Sequence, residues 1–128
     1  MFENAKWVGM KVNQSPSPYS DGSTYFQRVF VSSGVPERAT LSCVGLGYGY
    51  FYINGVAVSA DLLPTPTTKF DARVIYSTYD VTALVKEGEN VIGAYVGNGW
   101  YNDVGNEWNF EKSSLRAERN MICQLDLL

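Results

Sequence analysis

Tyr48-Gly49-Tyr50-Phe51-Tyr52-Ile53-Asn54-Gly55-Val56-Ala57-Val58 is the stretch on which the fold turns. Two runs of aromatic and β-branched residues, types that suit a pleated and half-buried surface, flank an Asn-Gly pair. Asn-Gly is the dipeptide that best tolerates the two positive φ angles of a type I′ turn, so the stretch predicts a β-hairpin. Side chains alternate across a strand, which puts Tyr48, Tyr50 and Tyr52 on one face and Phe51 and Ile53 on the other. The tyrosine stripe reads as a surface that packs under a neighbouring domain, with a sugar platform as the alternative.

Upstream, Ala39-Thr40-Leu41-Ser42-Cys43 alternates apolar and hydroxyl residues and predicts a strand with Ala39, Leu41 and Cys43 inward. Thr24 to Val31 also alternates, with Phe26 and Phe30 on one face and Tyr25, Gln27, Val29 and Val31 on the other, a strand expected to be partly covered on both sides. A short first strand is expected around Trp7-Val8, then a loop from Met10 to Ser23 containing Pro16, Pro18 and Gly22.

Downstream, Pro64 and Pro66 remove two backbone donors, so Leu62 to Thr68 is expected to be a crossing loop. A strand follows near Arg73 to Thr78. Asp80 to Lys86 reads as one short helical turn, capped by Asp80 and left at Gly88, after which no helix is expected. Asn90 to Val96 reads as a central strand packed on both sides. Met121 to Leu127 reads as a one-sided strand with Cys123, Leu125 and Leu127 inward. The sum is an all-β, jelly-roll-like antiparallel β-sandwich with one short helical turn, a single domain over residues 1–128.

Composition excludes several functions. A formal net charge of -3 and the lack of any basic cluster argue against nucleic acid as a partner, because phosphate binding draws on grouped Lys and Arg. Even Lys112 to Arg119 is broken by Glu118 and preceded by Glu111. No apolar run is long enough to cross a bilayer, and no membrane partner is expected. The opening Met1 to Trp7 lacks a basic region followed by an apolar run, so it does not read as a secretory leader, and a cytoplasmic location is expected. With no His and only Cys43 and Cys123, both inside apolar alternating segments, the thiols read as reduced core hydrophobes and not as zinc ligands.

The candidate site is the loop after the central strand, Gly97-Asn98-Gly99-Trp100-Tyr101-Asn102-Asp103, continuing through Val104-Gly105-Asn106-Glu107-Trp108. Sugars are held by a flat aromatic face under the C–H side of the ring, with amides and carboxylates taking the hydroxyls. Asn98, Trp100, Tyr101, Asn102, Asp103, Glu107 and Trp108 supply those groups, with Trp100 expected to pack over the sandwich edge and Trp108 to be exposed. No cofactor and no metal site are assigned. Calcium is the alternative, since Asp103, Asn106 and Glu107 offer some of the oxygens it needs, without EF-hand spacing. Gly45-Leu46-Gly47-Tyr48-Gly49 leads into a strand and not a helix, so it is no phosphate loop. Asp61, Asp71, Asp80, Glu87 and Glu89 have local roles, and no catalytic residue is assigned.

A series of segments carries a resemblance. It comprises Ala5-Lys6-Trp7-Val8, Phe26-Gln27-Arg28-Val29-Phe30, Gly49-Tyr50-Phe51-Tyr52-Ile53-Asn54-Gly55, Tyr76-Ser77-Thr78-Tyr79-Asp80-Val81-Thr82, Gly88-Glu89-Asn90-Val91-Ile92-Gly93 and Gly97-Asn98-Gly99-Trp100-Tyr101. In order and spacing it resembles the N-terminal β-sandwich domain of bacterial α-L-rhamnosidases over nearly the whole chain. One departure is Leu63-Pro64-Thr65-Pro66-Thr67-Thr68, where the family usually has Pro-Gly-Trp-Thr, which removes a Trp from any sugar contact made there. The resemblance implies an accessory domain cut from a larger multidomain enzyme that hydrolyses terminal α-L-rhamnosides. Its inverting carboxylate pair would sit in a separate (α/α)-barrel domain, so that the catalytic and other domains of the parent chain are the expected partners. A free-standing lectin-like sugar binder and a purely structural interaction domain are the alternatives.

Overall fold

The computed structural model describes residues 2–10, 23–102 and 119–128. At the hairpin, Asn54 and Gly55 take φ angles of 51° and 81°, the double positive φ of a type I′ turn. The turn joins β4 (Tyr48–Ile53) to β5 (Val56–Ala57). A Cβ on Gly55 meets nothing within 4 Å, so Gly55→Val tests the turn geometry alone. It is expected to cost about 1–2 kcal/mol of backbone strain, read as a lower urea midpoint with an unchanged slope.

The remaining strands are β1 (Val8–Gly9), β2 (Thr24–Ser32), β3 (Ala39–Gly45), β6 (Ser77–Asp80), β7 (Gly88–Gly97) and β8 (Asn120–Leu127). They form two four-stranded antiparallel sheets: sheet I in the order β1-β8-β3-β6 and sheet II in the order β2-β7-β4-β5. This is the expected sandwich. Its core lies where the inward residues of the two sheets meet, with Ala39, Leu41 and Cys43 of β3 against Phe51 and Ile53 of β4 and Ala94 of β7. Phe26 and Phe30 of β2 and Met121, Cys123 and Leu125 of β8 pack around it. Cys43 and Cys123 are free thiols facing each other in register across β3 and β8. Burial, and then the neighbouring Cys123, push the Cys43 thiol up to about 12.

A fully buried amide holds the hairpin to the rest of sheet II. Asn90, with 0% exposure, donates through Nδ2 to the carbonyls of Lys86 (2.7 Å) and Gly88 (2.9 Å). Its Oδ1 accepts from Lys86 N–H (3.0 Å) and from Asn54 Nδ2 (2.8 Å). Asn54 in turn donates to the carbonyl of Leu84 and accepts from Val91 N–H, both at 2.9 Å. The turn residue chosen for its φ is thereby also the clasp between the hairpin and the segment entering β7.

Several expectations are corrected. The strand placed near Arg73 to Thr78 is found at Ser77–Asp80. The Lys69 carbonyl accepts from both Ala72 and Arg73 N–H at 2.8 Å, a turn that keeps this segment from pairing until Ser77 reaches Cys43. The helical turn is a 3-10 turn over Thr82–Leu84, shorter than Asp80 to Lys86. Asp80 precedes its cap residue and accepts from Thr82 N–H (3.0 Å) and the Thr82 hydroxyl (2.6 Å), bonds that hold its carboxyl below the ordinary aspartate value. It is not the last helical element, because Gly99–Asn102 forms a second 3-10 turn. β2 is an edge strand with an open outer face, and β7 is central but closed only on its inner side.

Candidate functional site

The site loop is positioned by glycines. β3 ends in sheet I and β4 begins in sheet II, so Leu46-Gly47 must carry the chain across the sandwich within two residues. Such an arch brings backbone against backbone, and a Cβ on Gly45 would stand 2.7 Å from the Gly49 Cα. Gly47 has φ 110°, and a Cβ there would run into the Gly97 carbonyl and lie 2.8 Å from that of Asn98. Gly99, at φ 50°, meets Gly47 from the other side. The Gly-x-Gly-x-Gly run is thus a close-packing device, Gly45 against Gly49 and Gly47 against Gly97-Asn98-Gly99. Leu46 N–H donates to the Asn120 carbonyl (2.7 Å), and the buried Thr65 hydroxyl donates to the Gly45 carbonyl (2.9 Å).

On this base the 3-10 turn Gly99–Asn102 presents two aromatic rings in opposite senses. Tyr101 is 9% exposed, meeting Phe70 edge to face with ring centroids 5.2 Å apart. Burial raises its phenol above the ordinary value, partly offset by a hydrogen bond with Asn120. Trp100 is 54% exposed. The expectation that Trp100 packs over the sandwich edge is therefore corrected. Successive residues of a 3-10 turn stand about 120° apart, so only one can point inward, and Tyr101 takes that place. Asn98 is half-buried at the entry to the turn.

Asn102 closes the turn, but its side chain, together with Asp103, Asn106, Glu107 and Trp108, lies outside the described residues. The sequence reading missed Phe70 against Tyr101, Thr65 on the Gly45 carbonyl, and the buried Arg119 just before β8. Phe70, a lone aromatic between polar stretches, was a usable signal. Arg119 sits at the end of a mixed-charge run and gave none.

A second surface covers the outer face of sheet II. Tyr48, Tyr50 and Tyr52 share that face, as the alternation predicts, and other strands extend it. Tyr25, Tyr95 and Tyr50 stand in one row across β2, β7 and β4; Gln27, Gly93 and Tyr52 form the next, followed by Val29 with Val91 and Val31 with Glu89. Tyr25 is 56%, Tyr95 46% and Val31 73% exposed. A Cβ on Gly93 would lie 2.7 Å from the Tyr25 hydroxyl, so the Tyr25 ring crosses over the glycine. Tyr50 donates its hydroxyl to the Leu62 carbonyl of the crossing loop. The outer face of sheet I differs in kind: its rows are Asp80, Thr40 and Asp126, then Thr78, Ser42 and Gln124, and only the third, Val44 with Ile122, is apolar and buried.

The described aspartates have local partners. Asp61 accepts from the Tyr79 hydroxyl (3.2 Å), Asp126 from Gln124 (2.9 Å) and Asp80 from Thr82, while Asp71 pairs with Lys69 at 3.9 Å. No group of three His, Cys, Asp or Glu that could hold a metal occurs among the described residues.

Comparison with known proteins joins these features to a family. The family described as alpha-L-rhamnosidase N-terminal domain matches residues 34–128. An α-L-rhamnosidase of Formosa agariphila is 31% identical over 129 aligned residues, covering 96% of this chain and 14% of the relative. The crystal structure of native α-L-rhamnosidase from Aspergillus terreus matches 98% of this chain and 14% of its own at TM-score 0.83; at 23% identity, that likeness concerns the fold. The Streptomyces avermitilis α-L-rhamnosidase, solved in complex with L-rhamnose, matches 81% of this chain and 10% of its own at TM-score 0.71 and 33% identity. This chain thus spans only a small part of the length of the relatives it matches. Matched by that family over residues 34–128, this sandwich belongs to the N-terminal domain family of the α-L-rhamnosidases.

Proposed function

We propose that this chain is a non-catalytic accessory domain of a longer α-L-rhamnosidase-like glycoside hydrolase acting on terminal α-L-rhamnosides. The observation that carries the reading is its match to 14% of the Formosa agariphila enzyme, at that family's N-terminal domain.

Carbohydrate contact at the loop after β7 is a second part of the proposal. It is favoured by the exposed Trp100 ring, next in the chain to the buried Tyr101, with Asn98 two positions before it and Asn102, Asp103, Glu107 and Trp108 following in sequence. An open ring on a rigid base is what stacking on a pyranose requires.

The isolated chain is expected not to turn over 4-nitrophenyl α-L-rhamnopyranoside, and turnover that survives repurification would refute the non-catalytic reading. Calorimetric titration with L-rhamnose, with and without a calcium chelator, tests the sugar site. Trp100→Ala is expected to remove the heat of binding while changing stability by less than about 1 kcal/mol, as exposed positions do. No heat from the parent chain leaves a purely structural domain.

A further inference from the structure

We infer that the outer face of sheet II is a docking surface for another domain of the same α-L-rhamnosidase polypeptide, seated through Tyr25, Tyr52, Tyr95, Val29 and Val31. The inference rests on the accessory-domain reading above and adds to it the face by which the domain is held.

The first argument is the contrast between the two outer faces. An antiparallel sheet with one face in water alternates apolar inward and polar outward. Sheet I obeys this with Thr40, Ser42, Thr78, Asp80, Gln124 and Asp126 outward. Sheet II breaks it, presenting tyrosines and valines with Glu89 as the one charged side chain in the registered rows of its outer face. A face with one charge at its end is what an interface core looks like, rich in Tyr and depleted of charge.

The second argument is size. β2 has nine residues, which at about 3.3 Å each give a face roughly 30 Å long. Three long strands about 4.8 Å apart make it about 15 Å wide, so that docking would bury about 900 Å² in total, within the range of about 600–1,500 Å² for contacts between domains of one chain. The third is that curated relatives carry this domain as 14% or less of their length, so a large neighbour in the same polypeptide is the standing condition of the family.

The partner surface should be apolar and uncharged, with carbonyl or amide groups placed for the hydroxyls of Tyr25, Tyr52 and Tyr95. A carbohydrate polymer and a second copy of this chain are the competing occupants.

The test compares the full-length enzyme carrying this domain with the 128-residue chain, each as wild type, Val31→Lys and Tyr95→Lys, with Ser42→Lys on sheet I as control. In the full-length enzyme both face variants are expected to speed cleavage by a nonspecific protease at least tenfold at the domain junction, while the control does not. In the isolated chain all three are expected to melt like the wild type, which guards against a mere folding defect. Unchanged protease resistance in the full-length face variants overturns the inference. So does a face-dependent dimer of the isolated chain in sedimentation, or loss of binding to an insoluble polysaccharide as the sole effect. Hydrolysis of an aryl α-L-rhamnoside by the full-length wild type reports separately on the accessory-domain reading, so the two fail in distinguishable ways.

Discussion

Asn90→Leu is expected to remove about 3–5 kcal/mol of folding stability, a large share of the roughly 5–15 kcal/mol that single domains have. Leucine is close in size to asparagine, so the loss is not one of volume. It comes from four bonds lost together: those to Lys86 N–H and to the Lys86 and Gly88 carbonyls, and one of the two that Asn54 Nδ2 donates. Each group left unpaired away from water costs about 1–3 kcal/mol, and those nearer the surface recover part of that from solvent. Asn90→Asp separates the two halves of the amide, since it keeps both accepted bonds and loses both donated ones. Urea denaturation of the three proteins checks the account; a loss under about 1 kcal/mol in the Leu variant would show that the amide is no clasp.

The second large effect is expected at Gly47. A methyl group there is driven into the Gly97 carbonyl while the backbone must hold φ 110°. Strain at positive φ contributes about 1–2 kcal/mol, and forced displacement of packed backbone about 1–3 kcal/mol. Gly47→Ala should therefore cost about 2–5 kcal/mol in thermal unfolding, against almost nothing for Gly34→Ala, where no atom lies within 4 Å. Because Gly97 begins the segment carrying Trp100, any L-rhamnose response should fall with it. A Gly47→Ala protein that melts with the wild type would mean that the arch and the loop after β7 are not in contact.

The legible parts of the fold were those in which one local rule decides. Asn54-Gly55 fixes a turn by φ alone, and Ala39, Leu41 and Cys43 are sorted inward by alternation; both are found as expected. What was not legible depends on partners distant in sequence. β2 and β7 alternate in a way that fits either a covered or an open outer face, and only their order in the sheet shows that Tyr25 and Tyr95 meet Tyr50 in one row. The β6 start was misplaced because a backbone turn at Lys69 competes with pairing to β3. At the candidate site, composition pointed to the loop, but which of Trp100 and Tyr101 turns inward depends on Phe70, some thirty positions earlier in the chain.

The paired thiols of β3 and β8 have a practical side. Cys43 is buried, and a value of about 12 leaves it almost wholly protonated near neutrality, so sulfhydryl reagents find no thiolate to attack while the sandwich stays shut. Modification of Cys43 must then wait for the sheets to part. Its rate becomes a stopwatch for opening of the native protein in buffer alone, with no denaturant, dye or engineered probe added to the chain.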